Sequence, residues 1–143
     1  MKQWIDKQIH AKYTPYVLAF LIPFLVMAAV CAGHGIYPFG ENSFLHIDMY
    51  HQYAPFFMEF QRKLKAHESL MFSWNLGLGS DFVATFAYYL ASPVNWLVVF
   101  CSKQHLIEFM TVLVLLKIAC SGLFFAIYLG RHFKDNSYLV TLV

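Results

Sequence analysis

The sequence predicts an all-α membrane protein, a polytopic bundle whose helices cross a bilayer more than once. Hydrophobic residues make up 59% of the 143 and charged residues only 13%, far from the composition of soluble chains. The apolar residues gather in long runs at 16–32, 82–100 and 106–129 instead of alternating with polar ones. Fifteen Phe, nine Tyr and three Trp give 19% aromatics, a share suited to lipid boundaries, where amphipathic rings settle. The net charge of +2 is small and dispersed, which argues against nucleic acid as a partner and leaves the lipid bilayer as the first one.

Residues 1–15 read as a basic N-terminus, with Lys2, Lys7 and Lys12 against Asp6, and the positive-inside tendency places them in the cytoplasm. Tyr16 to Ala32, "YVLAFLIPFLVMAAVCA", carries no charge and reaches the length of a transmembrane helix. Its Pro23 is tolerable there, because a neighbouring helix can satisfy the carbonyl that proline frees. The following "GHGIYPFG" shows no A-x-A-like cleavage site, so a signal peptide is set aside.

Residues 33–81 then form an extracytoplasmic loop too patterned to be a mere connector. Within it, at about 54–65, "APFFMEFQRKLK" puts Phe56, Phe57, Phe60 and Leu64 on one helical face. Glu59, Arg62, Lys63 and Lys65 are spread over the rest, the pattern of a helix lying in the membrane interface. "SWNLGLGSDF" at 73–82 supplies Trp74, Asn75, Gly77 and Gly79. Its glycines serve either a re-entry turn or close backbone approach to a phosphate or sugar, and the turn is the better local reading.

The run at 82–100 is a membrane or re-entrant helix broken at Ser92-Pro93, and 106–129 is a transmembrane helix. Charge bias leans towards the bent version, with 106–129 returning to the cytoplasm beside Arg131 and Lys134. Residues 138–143 open a further helix, and a chain stopping inside an apolar run is expected to be the N-terminal piece of a longer protein. Cys31, Cys101 and Cys120 form no C-x-x-C pair and read as small buried hydrophobes.

The chemistry concentrates in "IDMYHQYAPFF", residues 47–57. On a helix, Asp48, His51 and Gln52 share a face, with Tyr50 and Tyr53 on other parts of the surface. Asp48 can then serve as a general base towards an acceptor hydroxyl, with His51 orienting it or contacting phosphate. Two other readings remain open: Asp48 as a helix cap, and His46, Asp48 and His51 as ligands of a divalent metal. No other metal or cofactor is indicated. Lys117, in "VLLKIAC", places an ammonium near the middle of an apolar run, where a charge costs about 2.5–3.5 kcal/mol unless it faces protein or a polar cavity.

Three motifs, "GIYPFGENSFLHIDMYHQYAPFF", "LMFSWNLGLGSDFVATFAYYLASPVNWL" and "LLKIACSGLFFAIYL", together resemble in order the beginning of the bacterial YfhO family of multi-spanning membrane proteins. The resemblance implies a truncated N-terminal part of a GT-C-like helical bundle in the bacterial plasma membrane. GT-C glycosyltransferases take a sugar from a polyprenyl-phosphate carrier and place it on an extracytoplasmic acceptor, here a cell-envelope glycopolymer such as lipoteichoic or wall teichoic acid. By position, Asp48 matches the acidic residue of the first external loop. Tyr50, His51, Gln52, Trp74, Asn75 and Lys117 become candidate substrate contacts, Lys117 towards the carrier phosphate. The 143 residues alone are expected to be inactive. A transporter or flippase-like protein with Lys117 at a midplane site, or a non-catalytic membrane subunit, are the competing expectations.

Overall fold

The computed structural model describes residues 2–133, with side chains from Tyr13 onward, and the apolar runs are helical. Four α-helices follow one another: α1 at Lys2–Gly33, α2 at Ala54–Lys65, α3 at Phe82–Thr85 and α4 at Leu106–His132. Two stretches, Tyr13–Gly33 and Lys103–His132, are long and apolar enough to cross a membrane. Their outer faces are apolar: Leu21, Leu25 and Val26 of α1 and Phe124 and Phe125 of α4 are exposed, an arrangement that lipid satisfies and water does not.

The chain divides into two compact units, one joining α1 to α4 from Val114 onward, the other running His34–Leu113. In the first, the helices meet at Gly122. A Cβ built there would stand 2.3 Å from the Ala19 carbonyl oxygen and 3.0 Å from Cγ of Pro23. The sequence explains the spot. Pro23 has no N–H to give to the carbonyl four residues back, which is that of Ala19, so this oxygen is freed from the helical ladder. Only a residue without a side chain lets the neighbouring backbone come this close.

The second unit is built on α2. Phe57 and Phe60 are buried with Phe82, Leu90, Val98, Leu106 and Met110, and Phe56 and Leu64 pack against the same core. The apolar face that the pattern assigned to the membrane interface is therefore taken up by protein, because the segments after α2 fold back over it. Phe60 sits between the rings of Phe86 and Trp96, each 5.4 Å away.

The run at 82–100 is not one straight helix. Phe82–Leu90 and Pro93–Phe100 meet at 106°, at the Ser92-Pro93 break that the sequence marks. Proline forces Ser92 into an extended conformation (ψ 130°), and the second half continues as a 3-10 helix. The bend is stitched by buried polar groups. Asn95 donates from its backbone to the Ser92 carbonyl at 2.9 Å and from Nδ2 to the Leu90 carbonyl at 3.1 Å. Gln61 of α2 donates through Nε2 to the carbonyls of Val98 (2.8 Å) and Cys101 (2.9 Å).

Between α2 and α3, strands β1 (Phe72–Ser73) and β2 (Ser80–Asp81) pair antiparallel, Phe72 opposite Asp81. Gly77 (φ +59°) and Gly79 (φ +107°) supply the left-handed turn, so the glycines of "NLGLGS" are accounted for by the hairpin. Asp81 caps α3, its Oδ1 accepting from the backbone of Val83 at 2.9 Å.

Candidate functional site

Asp48 opens a π-helical turn, Met49–Tyr53, that runs directly into α2. Just before it Ile47, 78% exposed, holds φ +48°, a conformation that a β-branched residue adopts only when its surroundings impose it. The imposition is visible: the Ile47 carbonyl accepts from both Tyr50 (3.1 Å) and His51 (2.9 Å), and that of His46 from Met49 (3.1 Å). Met49 and Tyr53 face the core and anchor the turn. The Tyr53 ring lies edge-on to Tyr89 at 4.9 Å, and Tyr89 also touches Phe56.

With those two anchored, Asp48, Tyr50, His51 and Gln52 all point to the exposed side. The Asp48 carboxylate makes no capping hydrogen bond, so the cap reading of this residue has no counterpart in the structure. Tyr50 and His51 meet edge-to-face at 5.4 Å, and Tyr89 Oη approaches Gln52 Oε1 at 3.5 Å. His46, Asp48 and His51 do not converge as metal ligands, nor do any other three His, Cys, Asp or Glu among the described residues.

The other sequence candidates lie elsewhere. Trp74 is 78% exposed and rests edge-on against Phe72 at 4.8 Å, with Gly79 leaving room for both rings. Asn75 joins a polar cluster that composition and spacing missed. Glu59, which the helical pattern placed on the solvated face, is only 5% exposed. Its Oε1 accepts from Ser73 Oγ (2.6 Å) and an Arg62 Nη (2.9 Å), its Oε2 from Arg62 Nε (2.8 Å) and Asn75 Nδ2 (3.0 Å). Arg62 reaches on to Glu68, while buried Lys63 donates to the carbonyls of Ser69 (2.9 Å) and Phe72 (2.8 Å).

Hydrogen bonding to Arg62, opposed by burial and aided by Ser73 and Asn75, holds the Glu59 carboxyl at about 2. Glu59 in turn raises Arg62, and Arg62 lowers Glu68. A cavity of about 330 Å³ opens beside this cluster, between Met58, Glu59, Arg62, Asn75, Leu76 and Lys103. The signal available in the sequence was the i,i+3 and i,i+4 pairing of Glu59 with Arg62 and Lys63, which also suits a solvated helix.

Lys117 belongs to the other unit. It is half-buried on α4, between buried Leu115 and Ala119, and forms no ion pair among the described residues.

Helices of membrane-crossing length joined to a helical unit that presents an exposed acid–imidazole turn define a membrane protein of the all-α class. The family described as "Bacterial membrane protein YfhO" matches residues 19–143, and the chain belongs to that family. No curated protein and no solved structure is similar enough to the chain to count as a match.

Proposed function

We propose that the chain is the N-terminal portion of a membrane glycosyltransferase that moves a sugar from a polyprenyl-phosphate carrier to a cell-envelope acceptor such as lipoteichoic or wall teichoic acid. The observation that carries the reading is the exposed carboxylate of Asp48, which makes no capping hydrogen bond. It stands next to His51 and Gln52, fixed on a turn whose strain the core sustains. Strained backbone and π-turns concentrate where a side chain must be aimed.

In this reading Asp48 accepts the proton of the acceptor hydroxyl as that oxygen attacks the anomeric carbon. The bond from that carbon to the carrier phosphate breaks, and polyprenyl phosphate leaves with the electron pair. Tyr50, His51 and Gln52 line the approach, and the exposed Trp74 offers its ring to a sugar or isoprenoid. Asn75 and Lys117 are secondary candidates, Asn75 because Glu59 already engages its amide and Lys117 as a contact for carrier phosphate. In this reading the N-terminus is cytoplasmic and the loop 33–81 is extracytoplasmic.

Transfer from a radiolabelled polyprenyl-phosphate sugar to crude teichoic acid tests the proposal, in membranes expressing the complete gene product. Asp48→Asn at matched expression is expected to lower the rate about 10²-fold, the lower range for loss of a general base. Equal rates in the two would remove Asp48 from the chemistry. A transporter reading draws on Lys117, which makes no ion pair among the described residues, and would instead be marked by sugar-independent flux that Lys117→Met abolishes.

A further inference from the structure

Glu108 and Thr111 lie one turn apart on α4, and each has a buried side-chain oxygen left without a hydrogen-bond partner among the described residues. These atoms are Glu108 Oε2 and Thr111 Oγ1, and Thr111 is 0% exposed. A helical threonine ordinarily bonds to the carbonyl one turn back, so an idle hydroxyl at full burial is uncommon. Both residues line a cavity of about 230 Å³ whose lining also includes Tyr37, Glu41, Asn42 and Ser43.

The chemistry of the lining is one-sided. It offers two carboxylates, three hydroxyls and an amide, with no lysine, arginine or histidine among the lining residues. The amide nitrogen of Asn42 is already given to the His34 carbonyl at 2.9 Å, which leaves its oxygen as the free end. The ring of acceptors is held in place by backbone. Asn42 N donates to the Gly35 carbonyl and Tyr37 N to the Asn42 carbonyl, each at 3.0 Å. A Cβ on Gly40 would stand 2.3 Å from the Gly35 carbonyl oxygen, so the loop closes on itself through glycine.

The geometry points to a divalent-cation site in this cavity, held by Glu41 and Glu108 with the hydroxyls of Thr111 and Ser43, for a hard ion of the Mg²⁺ type. All the donors are oxygen, which suits Mg²⁺ or Ca²⁺ and not zinc or copper. Two carboxylates with no facing cation match the charge of one divalent ion. The volume is about that of eight waters at about 30 Å³ each, room for an ion that keeps part of its hydration shell, as Mg²⁺ usually does. Only two of the donors are carboxylates, and no three His, Cys, Asp or Glu among the described residues converge on one ion, so water completes the shell. The site is separate from the Asp48 turn and does not depend on the transfer reaction.

The test uses the chain in phosphatidylcholine nanodiscs, free of anionic lipid, with Mn²⁺ as a spectroscopic probe and Mg²⁺ as competitor. One saturable Mn²⁺ per chain is expected, displaced by Mg²⁺. Its affinity should drop at least tenfold in Glu108→Gln and in Thr111→Val, and also in Glu41→Gln, whose exposed position keeps folding out of the result. Glu68→Gln, a carboxylate outside the cavity, should bind as the parent does. Absence of a saturable site, or equal binding in the parent and Glu41→Gln, overturns the inference. So does stabilisation by an organic diamine in a chain that does not respond to Mn²⁺.

Discussion

Glu59→Ala is expected to lower the stability of the protein by about 3 kcal/mol, the low end of what breaking a buried ion pair costs. The carboxylate is 5% exposed and accepts four hydrogen bonds, from Ser73, Asn75 and twice from Arg62. Removing it strands buried Ser73 and takes one partner from Arg62, which keeps Glu68 and so softens the loss. Because Ser73 and Asn75 belong to the hairpin and Glu59 to α2, the segment 66–81 should lose amide-exchange protection before the rest. Denaturant unfolding in nanodiscs, followed by tryptophan fluorescence, measures the first effect. A change within about 0.5 kcal/mol would mean that the cluster is ornamental to stability.

The same group sets a pH dependence. Its carboxyl falls from an ordinary 4.5 to about 2 on folding. A depressed acid contributes stability that is fully present above the unfolded value and is lost as pH falls through the folded one. The window is therefore about 4.5 down to about 2, and the depression corresponds to about 3 kcal/mol. Glu59→Gln should be less stable than the parent at neutral pH, and its stability should change less across that window. Parallel curves for the two proteins would assign the acid sensitivity to other carboxylates.

Gly122→Leu is expected to separate α1 from α4, at a cost of about 3 kcal/mol or more, the upper end of overpacking penalties. The obstruction is main chain: the Ala19 carbonyl oxygen lies 2.3 Å from where the Cβ would be, and a carbonyl cannot rotate away as a side chain does. Gly122→Ala should already cost about 1 kcal/mol. Pro23→Ala in the parent restores the missing N–H and draws the Ala19 carbonyl back into its own helix, so the glycine variants should be milder on that background. Disulfide trapping between cysteines introduced on the facing helices reads the separation. Undiminished trapping in Gly122→Leu would show that the contact is not needed for helix pairing.

Much of the architecture was legible in the chain. Membrane class, both long apolar helices, the break at Ser92-Pro93 and the amphipathic α2 follow from local chemistry, because run length, proline and helical periodicity act over a few residues at a time. Family membership was legible in the order of three motifs. The turn carrying Asp48, His51 and Gln52 was visible as a spacing, though its π geometry and the strain at Ile47 were not, since both arise from how the core holds Met49 and Tyr53.

What the sequence by itself determined is which segments are apolar, where they bend and which residues carry charge. Only the tertiary structure decided what each face meets. An amphipathic stripe looks the same whether lipid or protein will cover it, and Phe57 and Phe60 turned out to face protein. Glu59 and Lys63 read as solvated until residues 69–75 folded back over them. Burial of that kind depends on contacts between segments far apart in sequence, and a charge pattern holds no record of which backbone carbonyl or hydroxyl will arrive to meet it.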